Sequence, residues 1–126
     1  MRVPFNESIY PPAPALEIRL VNTVSGQRSR YYHAVLDTGS DATVIPKQFL
    51  TEINIEPFRR QRVFGLWGGS KDVSLYDLNI EVGGNLFVGI VVIGDEDNSE
   101  ILIGRNLCNQ LRLLLDGPTK TVEVLE

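Results

Sequence analysis

The sequence predicts an all-β, barrel-like domain. Many short apolar runs alternate with turns rich in glycine, proline and asparagine, which is typical of β-sandwiches and barrels. Only residues 105–111 have a helical pattern, so we expect one short helix near the C-terminus. The length of 126 residues falls in the usual range of one domain, and no internal repeat of fixed period is visible.

Residues 1–15 form a proline-rich arm in this prediction, and residues 16–126 form the domain. Pro11, Pro12 and Pro14 favour an extended polyproline conformation over a helix or a central strand. The arm could be a linker, an interface arm or an inhibitory segment, and the sequence does not choose between these.

The domain begins with a predicted β-hairpin. Apolar residues alternate from Leu16, a turn follows at 25–27, and a second apolar run leads to Leu36. Gly83-Gly84 suits a tight hairpin turn with positive φ. Further strands are predicted at 43–45, 62–66, 71–82, 86–93, 111–115 and 121–125. The basic run 59–62 is expected to be a solvated loop, with the rim of a cleft as the alternative.

Composition excludes several classes of function. A net charge of −4 and a pI near 5.0 argue against a nucleic-acid partner, which normally requires a basic face. No stretch approaches the roughly 20 apolar residues of a membrane span, and the N-terminus has no signal-like apolar run. The single cysteine, Cys108, and the single histidine, His33, supply a metal site poorly and are expected to pack structurally. We therefore expect a cytoplasmic protein without a metal or another cofactor.

The acidic stretch 95–100 fails as a calcium-binding loop. Glu100 stands where the sharp turn of such a loop requires glycine, and Asn106 stands where it requires a bidentate glutamate. An exposed acidic turn is the better interpretation.

The candidate for chemistry is the tetrapeptide Asp37-Thr38-Gly39-Ser40, which follows an apolar run. Glycine at 39 lets the backbone N–H approach the carboxylate, and the two hydroxyls are potential hydrogen-bond donors. We expect Ser40 to donate to the outer oxygen of Asp37. Taken alone, however, this tetrapeptide is also typical of an ordinary turn.

Other segments accompany the tetrapeptide in a specific order. A short strand at 43–45 follows, then a glycine-rich hairpin at 65–69, and then Ile101-Leu102-Ile103-Gly104-Arg105-Asn106. With this order and spacing, residues 16–115 resemble the retropepsin family, the dimeric aspartic proteases of retroviruses and their cellular relatives. The apparent hairpin after Leu115 and the bulky residues of the glycine-rich hairpin depart from the retroviral pattern.

The resemblance implies a fold and a set of site residues. The fold is a retropepsin-like closed β-barrel that acts as a homodimer and covers its substrate with a flap hairpin. The implied catalytic residues are Asp37, Thr38 and Gly39. The implied substrate-binding and flap residues are Ser40, Asp41, Leu66, Trp67 and Gly68. The implied structural supports are Leu102, Ile103, Gly104, Arg105 and Asn106, with Arg105 paired to Asp41.

The implied function is that of an aspartic endopeptidase acting on peptide or protein substrates. A water molecule would be activated between the Asp37 carboxylates of two subunits, without a metal. Leu66, Trp67, Val44 and Ile45 are expected to line the substrate pockets, which would favour apolar side chains at the cut site. One alternative is a catalytically weak retropepsin-like module for dimerisation or peptide binding. Another is a small β-barrel binder with a chance Asp-Thr-Gly turn.

Overall fold

The computed structural model describes residues 1–65 and 68–125, which form ten strands and two short helices. The elements in chain order are β1 (Arg2–Pro4), β2 (Ala15–Val21), β3 (Arg28–Leu36), β4 (Thr43–Pro46), α1 (Lys47–Glu52), β5 (Arg59–Phe64), β6 (Ser70–Val82), β7 (Asn85–Asp95), β8 (Leu102–Ile103), α2 (Arg105–Cys108), β9 (Arg112–Asp116) and β10 (Thr121–Leu125). The hairpin β2–β3, the hairpin β6–β7 and the C-terminal hairpin β9–β10 confirm the predictions from alternating apolar residues.

The main sheet has seven strands in the order β2-β3-β8-β4-β7-β6-β5. Strand β2 also pairs with β6, so the six strands β2, β3, β8, β4, β7 and β6 are connected in a closed ring of pairings. Strand β5 lies outside this ring and pairs with β6. Strand β8 lies between β3 and β4 and pairs in parallel with β3. This arrangement brings the loop that follows Leu36 alongside the segment that follows Ile103.

The core fills the interior of this ring of strands. Alternation on β2 buries Leu16, Ile18 and Leu20 completely, as the sequence pattern predicts. Helix α1 adds Leu50, which is fully buried, and Phe49, whose ring stacks on Tyr32 with centroids 4.4 Å apart. The apolar side chains of one helix and several strands therefore share one core.

Two local predictions were wrong. The sequence pattern indicated one helix, whereas the structure also contains α1, and α2 ends at Cys108 instead of Leu111. The basic run 59–62 belongs to strand β5 and not to a loop, because Arg59–Phe64 pairs antiparallel with β6.

A second sheet has three strands in the order β1-β10-β9. Strand β1 comes from the proline-rich N-terminal segment and pairs with β10, with Arg2 opposite Glu123. Farther along this segment, the Pro14 carbonyl accepts a hydrogen bond from the Leu36 N–H at 2.9 Å. The N-terminal segment is thus fastened to the domain near both of its ends. Across the described residues, no helix is long and apolar enough to cross a membrane.

Candidate active site

Asp37 lies where β3 ends, and backbone hydrogen bonds fix its surroundings. Its own N–H donates to the Ile103 carbonyl at 2.9 Å, and its carbonyl accepts the Ser40 N–H at 3.1 Å. The Gly39 N–H donates to Asp37 Oδ1 at 3.1 Å. A Cβ at Gly39 would lie 3.2 Å from that oxygen, a tight contact that the Asp37 side chain would have to relieve by a small shift. Asp37 is half-buried, so a rigid turn presents a partly shielded carboxylate.

Ser40 does not contact this carboxylate. Its hydroxyl donates to the Ala42 carbonyl at 2.7 Å, so the expected hydrogen bond to Asp37 is a wrong prediction. Serine hydroxyls satisfy nearby turn carbonyls readily, and the carbonyl two residues on is closer at hand than the carboxylate. Ser40 therefore stabilises the loop, and the Gly39 N–H provides the hydrogen bond to Asp37.

Arg105 also binds a different partner from the one expected. Its Nη1 donates to the Thr38 carbonyl at 2.8 Å, and its backbone N–H donates to the Ser40 carbonyl at 2.8 Å. Among the ion pairs of residues 1–65 and 68–125, none joins Arg105 to Asp41. A charge-assisted hydrogen bond to the Thr38 carbonyl thus takes the place of the expected ion pair, and Asp41 is exposed.

Gly104 passes directly behind the loop 37–42, which follows β3. A Cβ there would collide with the carbonyl group of Ala42, so only glycine allows this approach. The Gly104 N–H donates to Thr43 Oγ1 at 3.1 Å, and that hydroxyl donates to Asn106 Oδ1 at 2.7 Å. Asn106 Nδ2 then donates to the Val91 carbonyl at 2.8 Å. The segment 102–106 thus contacts the loop 37–42 and the start of β4 through backbone and side-chain hydrogen bonds.

Thr43 is the supporting residue that sequence reasoning missed. Its side chain is fully buried and connects Gly104 to Asn106, yet the sequence showed only a β-branched residue at the start of a strand. The available signal was a hydroxyl in a run that is otherwise apolar, because a buried hydroxyl requires a partner.

Leu102 and Ile103 contribute through β8. They lie opposite Val35 and Leu36 of β3, and Ile103 is fully buried. This parallel pairing holds the end of β3, and hence Asp37, against the core.

Cys108 packs in the core, and His33 forms a hydrogen bond with a backbone carbonyl. Burial raises the pKa of the Cys108 thiol, and the negative charge of Asp37 raises this pKa further. The thiol is therefore neutral and a weak nucleophile at neutral pH. His33 Nε2 lies 2.8 Å from the Pro4 carbonyl, where it ties β3 to the N-terminal segment. Within the described part of the chain, no group of three or more histidine, cysteine, aspartate or glutamate side chains is arranged for a metal ion.

A groove of about 320 Å³ begins beside the loop 37–42, at Asp41 and Ala42. Its apolar wall consists of Val63, Leu75, Val91, Val92 and Ile93. Ala42 adds to this apolar surface, and the polar lining consists of Asp41, Arg59, Gln61 and Asn106. Ile45, which was expected to line a pocket, is fully buried in the core instead. Val44 is half-buried.

The hairpin of β5 and β6 supplies one side of this groove. Arg59, Gln61 and Val63 alternate along β5 and line the groove. The Gly65 N–H donates to the Gly69 carbonyl at 3.0 Å, and Gly68 takes a φ of 84° that favours glycine. Leu66 and Trp67, the predicted contacts at the flap tip, lie outside the described residues.

Comparisons with known proteins agree with this geometry. A family model described as retroviral aspartyl protease matches residues 11–116. Among solved structures, a retropepsin-like aspartic protease from Rickettsia conorii has a TM-score of 0.69 at 12% identity, covering 98% of this chain and 88% of the other. EIAV protease complexed with the inhibitor HBY-793 has a TM-score of 0.56 at 14% identity, covering 78% of this chain and 86% of the other.

A third structure is the retroviral protease-like domain of Ddi1 from Leishmania major. It has a TM-score of 0.52 at 14% identity, with 90% of this chain and 95% of the other covered. No significant match was found among curated protein sequences. The structural matches show a mostly β, retropepsin-like fold.

Proposed function

Because the chain belongs to the retroviral aspartyl protease family, we propose that it is an aspartic endopeptidase with Asp37 as its catalytic carboxylate. The observation that carries this proposal is the setting of Asp37 at the end of β3. Its carboxylate is half-buried and accepts the Gly39 N–H, and its backbone is bonded to the buried segment at Ile103. A carboxylate held this rigidly is preorganised for acid–base chemistry.

The proposed enzyme is a homodimer. General acid and general base catalysis at one peptide bond require two carboxylates in different protonation states, and the chain has one Asp-Thr-Gly triplet. A two-fold dimer sets Asp37 against Asp37 of the partner subunit, and dimers of this symmetry are the commonest oligomers. The exposed side chain of Thr38 is available to exchange hydrogen bonds with its mate across the axis.

Electrostatic repulsion separates the two protonation steps of this dyad. Two unit charges about 4 Å apart at an effective dielectric near 20 repel by roughly 4 kcal/mol. The proposed pair therefore shares one proton, so that one carboxylate is ionised and the other is protonated.

Hydrolysis then proceeds without a covalent enzyme intermediate. The ionised carboxylate takes a proton from a water molecule, whose oxygen attacks the peptide carbonyl carbon while the protonated carboxylic acid protonates the carbonyl oxygen. The tetrahedral diol collapses as the C–N bond breaks. The carboxyl group that took the proton from water gives it to the leaving nitrogen, and the other carboxylate takes a proton from one hydroxyl of the diol, which restores the dyad. One peptide bond and one water molecule are consumed, and no metal takes part.

The substrate in this proposal is an extended peptide lying between the catalytic loop and the β5–β6 flap. Such a peptide adds as a strand, with main-chain hydrogen bonds giving affinity and pockets giving specificity for alternate side chains. The apolar wall beside Ala42, with Val63 and Val91, favours apolar side chains.

We also propose that this activity resides in the cytoplasm. Cys108 is a free, buried thiol, and the absence of a possible intrachain disulfide fits a reducing compartment.

The test is cleavage of a peptide library by the wild type, by Asp37→Asn and by Asp77→Asn. The Asp37 amide fills the same space but cannot act as a base, so kcat/KM should fall by at least about a thousand-fold while the fold is kept. Asp77 is exposed on β6 and, among the described residues, is not part of the groove lining, so its variant should match the wild type. Peptide binding without any Asp37-dependent cleavage would identify a binding module instead.

A further inference from the structure

The three arginines of strand β5 lie on two different faces of the β5–β6 hairpin. Arg62 forms an ion pair with Asp72, its cross-strand neighbour on β6, at 3.2 Å. Arg60, two residues before it, donates to the Ser74 hydroxyl at 3.1 Å. Arg59 lies on the other face, because side chains alternate along a strand, and it lines the groove of about 320 Å³. The basic run therefore places one of its three charges in the groove.

Arg59 has no carboxylate partner within residues 1–65 and 68–125. Its Nη2 donates to Gln61 Oε1 at 2.9 Å, and its guanidinium carbon lies 5.9 Å from the centroid of the Phe58 ring. Its neighbour across the strand is Leu75, an apolar residue of the groove wall. These contacts orient the guanidinium and leave its charge without a counter-ion. Since a guanidinium carries five N–H groups, further donors remain for a ligand.

The other polar residues of the groove do not neutralise this charge. The oxygen and the nitrogen of the Asn106 side chain already have protein partners. Asp41 lines the groove from the loop 37–42, and among the described residues it forms no ion pair with Arg59. The groove thus has a cationic side on β5 and an anionic side on the loop. A carboxylate in the groove is attracted to the first side and repelled by the second.

We propose that Arg59 is a specificity-determining residue that binds a carboxylate side chain of the substrate. The preferred substrate is then a peptide with apolar side chains and one glutamate or aspartate that reaches β5. This inference rests on the proposed function, because it names the substrate class of that site. A planar guanidinium binds a carboxylate through two parallel hydrogen bonds, and the contact with Gln61 holds the guanidinium in place.

Paired peptides test this inference. In an apolar peptide from the library, each position is replaced in turn by glutamate or by glutamine, which have a similar size and differ in charge. For the wild type, kcat/KM at one position should be at least about tenfold higher with glutamate. In Arg59→Gln this ratio should fall to about one. Arg60→Gln is the matched control, because it removes the same charge from the opposite face of the same strand and should keep the ratio.

Charge reversal and binding supply two further measurements. Arg59→Glu should prefer lysine over glutamine at the same position by about tenfold. Binding of the same peptides to Asp37→Asn, measured by fluorescence anisotropy, should show the glutamate preference in Kd without any chemical step. Adding Arg59→Gln to that variant should remove the preference.

Two results would overturn the inference and leave the proposed function standing. One is a glutamate-to-glutamine ratio near one at every position in the wild type. The other is a preference that Arg59→Gln keeps, or that Arg60→Gln loses to the same extent. Absence of any Asp37-dependent cleavage would overturn the proposed function itself, and the binding measurements would still decide on Arg59.

Discussion

Asp37 receives its hydrogen bond from the backbone, while the neighbouring hydroxyl of Ser40 is engaged elsewhere. The Gly39 N–H donates to Oδ1, and Ser40 Oγ donates to the Ala42 carbonyl. A backbone donor is part of the turn itself, so a side-chain substitution leaves it in place. The hydrogen bond to the Asp37 carboxylate should therefore depend on the loop conformation and little on the side chain at position 40.

Ser40→Ala should lower stability without shifting the pH profile. Loss of the bond to the Ala42 carbonyl should cost about 1 kcal/mol in urea unfolding, whereas the exposed Ser99→Ala should cost almost nothing. A donor to the ionised dyad would lower its first apparent pKa, and its removal would move the acidic limb of kcat/KM to higher pH. We expect the acidic limbs of the kcat/KM profiles of the wild type and Ser40→Ala to coincide. A displaced limb would mean that the hydroxyl binds Asp37 in the active dimer.

Gly104→Ala should be severely destabilising, because the added methyl group meets the Ala42 carbonyl group in a tightly packed backbone crossing. We expect a loss of at least about 2 kcal/mol in the free energy of unfolding. Gly117→Ala is the control, since a Cβ there meets nothing within 4 Å, and it should stay within about 0.5 kcal/mol of wild type. Equal stability of the two variants would show that the backbone at Ala42 can move to accommodate a methyl group at position 104.

Among the elements, those with local alternation were predictable and those made by distant contacts were not. The alternation of Leu16, Ile18 and Leu20 in the sequence predicts strand β2, and all three side chains are buried. Helix α1 has no capping side chain and no acidic residue in its first turn, and it is held by burial of Phe49 and Leu50. Strand β1 has three residues, and its partner β10 lies at the other end of the chain. No local pattern can indicate such a pairing.

The candidate site was also predictable only in part. The order of its segments could be read from the sequence, since Asp37 and Gly104 belong to recognisable motifs. The hydrogen-bond partners of the Ser40 and Arg105 side chains could not be predicted, because each side chain could donate either to a carbonyl or to a carboxylate. Differences of a few tenths of an ångström in the loop decide between such acceptors, and sequence spacing does not resolve them.

Strand β7 supplies part of the apolar groove and offers a matched pair for testing specificity. Val91 lines the groove and is 40% exposed, whereas Val88 on the same strand is 68% exposed and does not line it. Val91→Asp should lower kcat/KM for peptides with apolar side chains by about tenfold or more, because a charge would then face an apolar group. Val88→Asp should leave kcat/KM unchanged. Equal values for the two variants would place the substrate outside this groove.

On the scale of the whole molecule, the chain supplies half of the proposed site. Helix α2 binds the loop 37–42 through Arg105 and is followed after three residues by β9, so α2 connects this loop to the second sheet. Strand β10 lies between β1 and β9 and pairs with both, so all three strands of the second sheet come from one chain. Each subunit can therefore fold with its terminal strands paired before it meets a partner.

The proposed dimer makes specific activity depend on concentration. When the total chain concentration equals the dissociation constant, about half of the chains are in dimers, and a hundredfold below it only about 2% are. Specific activity should fall in the same proportion, in parallel with sedimentation. Two copies fused through a flexible linker should resist dilution, because the second copy is held at high effective concentration. The same fusion with Asp37→Asn in one copy should lose activity, since the dyad needs both carboxylates. An unfused monomer with full activity at every dilution, or an active half-substituted fusion, would contradict the shared dyad.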